Sequence, residues 1–142
     1  MTIQQRTDEE AVRDLLARAD RAWEAGDAAA FAAVFAPDAD YTTWFGQRLK
    51  GREAIEASHV PLFAKYLKGT RTIGEITSVR FLAPDVALVH GRGAVVKGDK
   101  KLTRFNTKMV QYVIVRTGGE WSIAAFQNTK YHWLFNALFA QQ

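Results

Sequence analysis

The chain has 142 residues, no cysteine and a formal net charge of +4. That length fits one domain, spanning 1–142, and at this size folding buries roughly 68–70% of the unfolded chain's surface without staples. The absence of cysteine excludes disulfides, thiolate nucleophiles, iron–sulfur clusters and cysteine zinc sites. The start, Met1-Thr2-Ile3-Gln4-Gln5-Arg6, lacks the apolar core of a signal peptide, and no apolar run approaches a bilayer's thickness. The expectation is a cytoplasmic protein with no membrane contact. Lys97, Lys100, Lys101, Arg104 and Lys108 gather around one hairpin, as a solvated rim or as a site for a phosphate or acidic ligand.

Taken in order, Thr7-Asp8-Glu9-Glu10 matches a capping box. Val12, Leu15, Leu16, Ala19 and Trp23 then recur at helical spacing up to Gly26, a left-handed cap. Asp27 caps a short second helix carrying Phe31, Val34 and Phe35, which Pro37 stops. Ala39 to Phe45 reads as a strand, and Gly46 turns the chain. A third helix runs from about Arg52 to Leu67 with an inner stripe of Ile55, His59, Phe63 and Tyr66. Pro61 falls inside it, which predicts a kink or break, because a mid-helix proline costs about 3 kcal/mol.

From Thr70 onward the chain reads as strands: Thr70 to Leu82, Val86 to Lys97, Leu102 to Arg116, and Gly119 to Thr129, joined by short turns. Sequential strands with short turns imply an antiparallel meander, and helices followed by a curled sheet imply an α+β domain. In the last strand Trp121, Ile123, Ala125 and Gln127 share one parity, which would set an amide in an apolar hollow. Both parities of Met109 to Val115 are apolar, so something must cover the second face. The tail over 130–142, with Tyr131, Trp133, Leu134, Phe135, Leu138 and Phe139, is also too apolar to hang free. It is expected to dock on the domain or on a partner subunit. A homodimer answers both observations.

Ala25-Gly26-Asp27, Phe35-Ala36-Pro37-Asp38-Ala39, Gly51-Arg52-Glu53-Ala54-Ile55 and Gly119 to Asn128 follow one another in an order and spacing that resemble the SnoaL-like branch of the superfamily of nuclear transport factor two and ketosteroid isomerase. The resemblance covers about Thr7 to Thr129. Tyr41 to Ile55 and Ala124 to Thr129 look closest to the SgcJ/EcaC group of enediyne and other natural-product gene clusters. The resemblance implies a cone: a curved sheet wrapping helices around an apolar cavity open at one end. Members of the superfamily include isomerases, dehydratases, epoxide hydrolases, cyclases and non-catalytic carriers, so the fold does not assign a function.

Aligned on these motifs, the isomerase's aspartate base falls at Thr43 and its oxyanion tyrosine at Ala19. Neither can do that chemistry. Asp38, Asp40, Glu53, Glu56, Glu75, Asp85, Asp99 and Glu120 sit at turns, helix starts or strand edges, so no carboxylate pair is placed inside. His59 is the candidate acid/base, since its reference pKa lies near working pH; the competing reading is a core histidine bonded to a backbone carbonyl. Tyr41, Thr43 and Phe45 share one strand face, predicted inward by the alignment. Gln111 and Gln127 are expected on neighbouring concave strands, able to hold a carbonyl or hydroxyl or simply to pair with each other. Phe63 and His90 complete the ligand-binding set, His90 with a rim position as its alternative. Asn106 and Asn128 fall on the opposite parities.

His59, His90 and His132 lack the spacing of a metal-binding pair, and Gly91-Arg92-Gly93 sits within a strand rather than before a helix, so no metal, phosphate loop or other cofactor is expected. No dense basic stripe with aromatics marks a nucleic-acid surface. The functional expectation is a cofactor-independent cyclase, isomerase or dehydratase of natural-product assembly, acting on a polyene or polyketide intermediate. The alternative is a binding or carrier protein for such an intermediate.

Overall fold

The structure, a computed structural model, describes residues 1–140. Its first helix, α1 (Ile3–Glu24), starts earlier than expected. Thr2 and Gln5 form a reciprocal capping box, with Gln5 N donating to Thr2 Oγ1 at 3.1 Å and Thr2 N to Gln5 Oε1 at 2.9 Å. Thr7 lies inside the helix and donates to the Ile3 carbonyl. Val12, Leu15, Leu16, Ala19 and Trp23 are buried, as their spacing implies. Gly26 closes the helix at φ +67°, and Asp27 accepts from Ala30 N at 3.0 Å to start α2 (Ala28–Ala33).

Strand β1 is Phe35–Thr42, and a short strand missed in the sequence, β2 (Arg48–Lys50), pairs with it. Helix α3 (Arg52–Pro61) breaks at the proline and continues as one π-helical turn, Leu62–Tyr66. Proline has no amide hydrogen to continue the ladder, and the wider turn accommodates it. The turn also shifts the helical register. Leu67 packs against the core instead of Tyr66, which the stripe predicted inside and which is 69% exposed.

The rest of the sheet is β3 (Thr70–Ala83), β4 (Val86–Lys97), β5 (Lys108–Thr117) and β6 (Glu120–Lys130). These four form the antiparallel meander, and β1 joins parallel to β6, giving the order β2-β1-β6-β5-β4-β3. Gly118 and Gly119, at φ +60° and +82°, make the tight turn between β5 and β6. Residues expected to extend β5 back to Leu102 form a loop instead, pinned by Asn106 through Thr103 N and the Lys101 carbonyl.

The curved sheet holds α1, α2 and α3 in its hollow. One cluster joins Leu15, Phe31 and Ile55 from the helices to Phe35, Val89, Ile114 and Ile123 from the sheet. At the closed end the buried Asp8 on α1 pairs with Arg116 on β5 at 2.7 Å, and Arg116 also reaches Asp85 at 2.8 Å. A final helix, α4 (Trp133–Phe139), leaves Leu134, Phe135, Leu138 and Phe139 each more than half exposed, while Arg104 stacks over Trp133 at 3.9 Å. Among the described residues no helix is long and apolar enough to cross a membrane.

Candidate functional site

Strand register sets what the hollow presents. The deepest inner row is Phe81, Ala87, Ile114 and Ile123; the next is Val79, Val89, Tyr112, Phe126, Tyr41 and Leu49. Then come Ile76, Gly91, Val110 and Asn128, and after them Gly74, Gly93, Lys108 and Lys130. Ala87, Val89, Ile114 and Ile123 are fully enclosed, whereas Val95, opposite Thr72, is 37% exposed. The hollow therefore opens at the Thr72–Lys108–Lys130 end.

Four polar groups converge toward that end. Asp20, on α1, accepts from the Thr72 hydroxyl at 2.7 Å. The residue as a whole is exposed at the mouth, but the environment of its carboxyl is partly closed, and burial lifts its pKa against the opposing pulls of the Thr72 bond and Arg21. Burial also drives the Tyr112 phenol upward, aided by the Asp20 charge and by Tyr41, and burial alone does the same to Tyr41. Both phenols stay protonated and able to donate. The Tyr112 and Tyr41 rings flank Phe126 at 5.1 and 4.6 Å. Asn128 Oδ1 is enclosed and has no hydrogen-bond partner.

His59 lies deeper, 3% exposed and ringed by Trp23, Phe31, Tyr41 and Phe63. Its Nδ1 lies 2.7 Å from the Ile55 carbonyl, so Nδ1 carries the proton in that bond. Burial lowers its pKa, so the ring is neutral at working pH. This matches the core-histidine reading. Tyr41 and Phe63 face inward as expected, with Phe63 buried against Trp23 at 5.0 Å.

Thr43 and Phe45 do not lie on the inward strand face. β1 ends at Thr42, Thr43 Oγ1 accepts from Gln47 N at 2.9 Å in the following turn, and Phe45 is 62% exposed. Gln127, Gln111 and His90 lie on the outer face. Gln111 and His90 face outward by plain alternation, because Tyr112, Ile114 and Val89 take the inner positions of β5 and β4. For Gln127 the cause is a bulge: Val113 pairs with Ala125 while Ile114 pairs with Ile123, leaving Ala124 unpaired. One extra residue reverses every later side chain of β6, so Trp121 and Ile123 point inward and so do Phe126 and Asn128, while Gln127 points out. The predicted residues still meet, outside. Ser78, His90, Gln111, Gln127, Thr42 and Arg48 form one polar row across all six strands, with His90 Nε2 at 3.1 Å from Gln111 Oε1.

Asp20 and Asn128 are the site residues that sequence reasoning missed. Asp20 sits four residues after Leu16 and three before Trp23, on the same helical stripe as the apolar set, and that spacing was the available signal. Asn128 was hidden by the bulge.

The basic cluster near Gly98 borders an outer groove of about 940 Å³. Its Arg71 donates to the Gly98 and Lys100 carbonyls, and Arg92 pairs with Glu75. These two guanidinium groups hold the strand ends and loop together. Among the described residues no group of His, Asp and Glu is arranged to hold a metal ion.

The SnoaL-like domain family matches residues 4–127. Among solved structures, a domain of unknown function with a cystatin-like fold from Nostoc punctiforme is 32% identical, with a TM-score of 0.83 over 99% of this chain and 86% of that one. Aln2 from a Streptomyces species is 20% identical over 91% of this chain and 94% of its own, with a TM-score of 0.73. A scytalone dehydratase candidate from Novosphingobium aromaticivorans is 17% identical over 93% of each chain, with a TM-score of 0.72. At those identities the last two show the fold alone. No curated protein matches significantly. The cone, the helices in its hollow and the match over most of the sequence agree: the chain belongs to the SnoaL-like domain family.

Proposed function

We propose that the cone binds an apolar, oxygen-bearing small molecule of the polyketide or polyene kind and catalyses a cofactor-free isomerisation, cyclisation or dehydration on it. The observation that carries this reading is the orphaned Asn128 side-chain oxygen. An enclosed polar atom without a partner costs about 1–3 kcal/mol, and whichever way the amide is turned a ligand group in the hollow would relieve that cost. Asp20 is the base. Its carboxylate takes a proton from a carbon next to a carbonyl, and the electron pair moves onto the carbonyl oxygen. Tyr112 and Tyr41 donate to that oxygen, and Asn128 holds the ring or chain in place. The enolate then takes a proton at a different carbon, attacks an internal electrophile, or expels a β-hydroxyl as water with the proton carried by Asp20.

Natural-product assembly of the SgcJ/EcaC kind is the setting we favour, and the likeness in fold to Aln2 and to the dehydratase candidate is compatible with it. In this reading His59 packs beneath Tyr41 rather than moving protons. A second reading, a carrier without chemistry, draws on one observation: Asp20 has no histidine or carboxylate bonded to it among the described residues. Candidate polyene and polyketide intermediates mixed with substoichiometric protein separate the two. Conversion of many equivalents, followed by mass spectrometry, is the expected result; retention of about one equivalent unchanged would leave the carrier.

We also propose that the protein is a homodimer in the cytoplasm. Met109, Val113 and Val115 put apolar surface on the outer sheet face, and α4 exposes more. The expected mass in solution at micromolar concentration is twice the chain's 15.9 kDa; a monomeric mass would remove this proposal.

A further inference from the structure

Lys108 and Lys130 stand directly opposite each other on β5 and β6, on the inner parity, one row outward from Val110 and Asn128. Like charges placed opposite on one sheet face repel, and neither amine pairs with a carboxylate among the described residues. Their surroundings make the arrangement harder to sustain. The Lys108 amine sits 5.5 Å from the Trp44 ring centroid, and its burial, with Lys130 beside it, lowers its pKa. Two lysines on a purely solvated rim would diverge into water. Here one of them turns over an indole above an unpartnered amide, at the open end of a hollow whose other polar groups are two phenols and the Asp20 carboxyl, which the Thr72 hydroxyl and not a lysine holds.

We infer that the ligand of this cone carries an acid group, a carboxylate or a phosphate, and that Lys108 and Lys130 receive it at the mouth while the apolar body lies inward against Tyr112 and Asn128. An anion between the two amines converts their repulsion into two charge-assisted hydrogen bonds. It also fixes the ligand's direction of entry, acid group outward, so the carbon skeleton is presented to Asp20 and the phenols in one orientation. The inference rests on the cone being the ligand site, and it adds the substrate class: an amphipathic acid rather than a neutral hydrocarbon or ketone.

Two probes with the same ring, 2-naphthoate and neutral 2-naphthol, test it on the full chain. Their binding is followed by calorimetry at low salt and neutral pH, and located by NMR shifts at Tyr112 and Asn128. The expected result is that naphthoate binds about tenfold more tightly than naphthol, with both probes shifting those residues. The variant Lys108→Met with Lys130→Met loses the preference and keeps naphthol affinity. Because it removes a like-charge pair, it melts no lower than the natural protein, which excludes misfolding as the cause. Equal affinity of the two probes for the natural protein overturns the acid-group inference and leaves the cone as a site for neutral ligands. A naphthoate preference that survives the lysine variant and disappears with Arg71→Met and Arg104→Met places the anion in the outer groove, and also overturns it. If neither probe shifts Tyr112 or Asn128, the cone fails as the ligand site, and the inference fails with it.

Discussion

On the proposed chemistry, Asp20→Asn lowers kcat by about 10²–10⁴-fold, the usual contribution of a positioned general base, while leaving ligand binding in place. Asparagine keeps the side chain's shape and can still accept from the Thr72 hydroxyl, so the hollow is undisturbed. The pH dependence follows from the direction of the pKa. Burial raises the carboxyl above its reference value of about 3.9, and only the ionised form is a base, so activity rises with pH along a limb displaced above the ordinary carboxylate range. Stability runs the other way. A carboxyl whose folded pKa is raised favours folding fully below its unfolded pKa, and that contribution is lost as pH rises through the folded pKa. The variant removes this loss, so at neutral pH it should melt at or above the natural protein's temperature. Lower activity with unchanged or higher stability identifies a functional group set in place at a cost to the fold. Unchanged turnover in the variant would remove Asp20 as the base, and a lower melting temperature would make it a structural residue.

The helices and strands of this cone were legible because their signals are local. Apolar spacing in α1, the glycines at the turns and the boundaries of β4 all appear in the sequence as they do in the structure. The contents of the hollow were less legible, because they depend on events that a pattern of single residues does not encode. An unpaired Ala124 reversed the facing of Gln127 and Asn128, while Gln111 and His90 lie outward by the plain alternation of β5 and β4, whose inner positions Tyr112 and Val89 fill. A π turn after Pro61 exchanged Tyr66 for Leu67. The bulge and the π turn are one-residue shifts, and in an element that alternates or rotates by residue, one extra residue is enough to turn an interior group outward. Asp20 was missed for a different reason. An acid on a helix reads as a solvated position until its apolar neighbours before and after are seen to share its stripe.

Gly74→Ala should be the most destabilising of the single-methyl additions to the sheet, and it tests how the cone is bent. Gly74 pairs with Gly93 across the antiparallel β3 and β4, at φ +153°. A Cβ there would lie 2.1 Å from the Arg92 carbonyl oxygen and 2.7 Å from the Gly93 Cα. Both are backbone atoms of a paired strand and cannot swing aside as a side chain can. Overpacking and backbone strain each cost about 1–3 kcal/mol, so a loss of about 2–6 kcal/mol is expected against a total stability of roughly 5–15. Gly98→Ala is the control: its φ is +63°, with nothing within 4 Å of the added carbon, so it carries the conformational penalty without the collision, about 1–2 kcal/mol. Urea unfolding of both variants separates the two contributions, and equal losses would mean that the close approach at Gly74 does not shape the sheet. The bend reaches the site through Thr72, two residues before Gly74 on the same inner parity, whose hydroxyl holds Asp20. A partly folded Gly74→Ala protein should therefore lose activity at temperatures where its helices persist, because the glycine sets the distance from the sheet to the acid on α1.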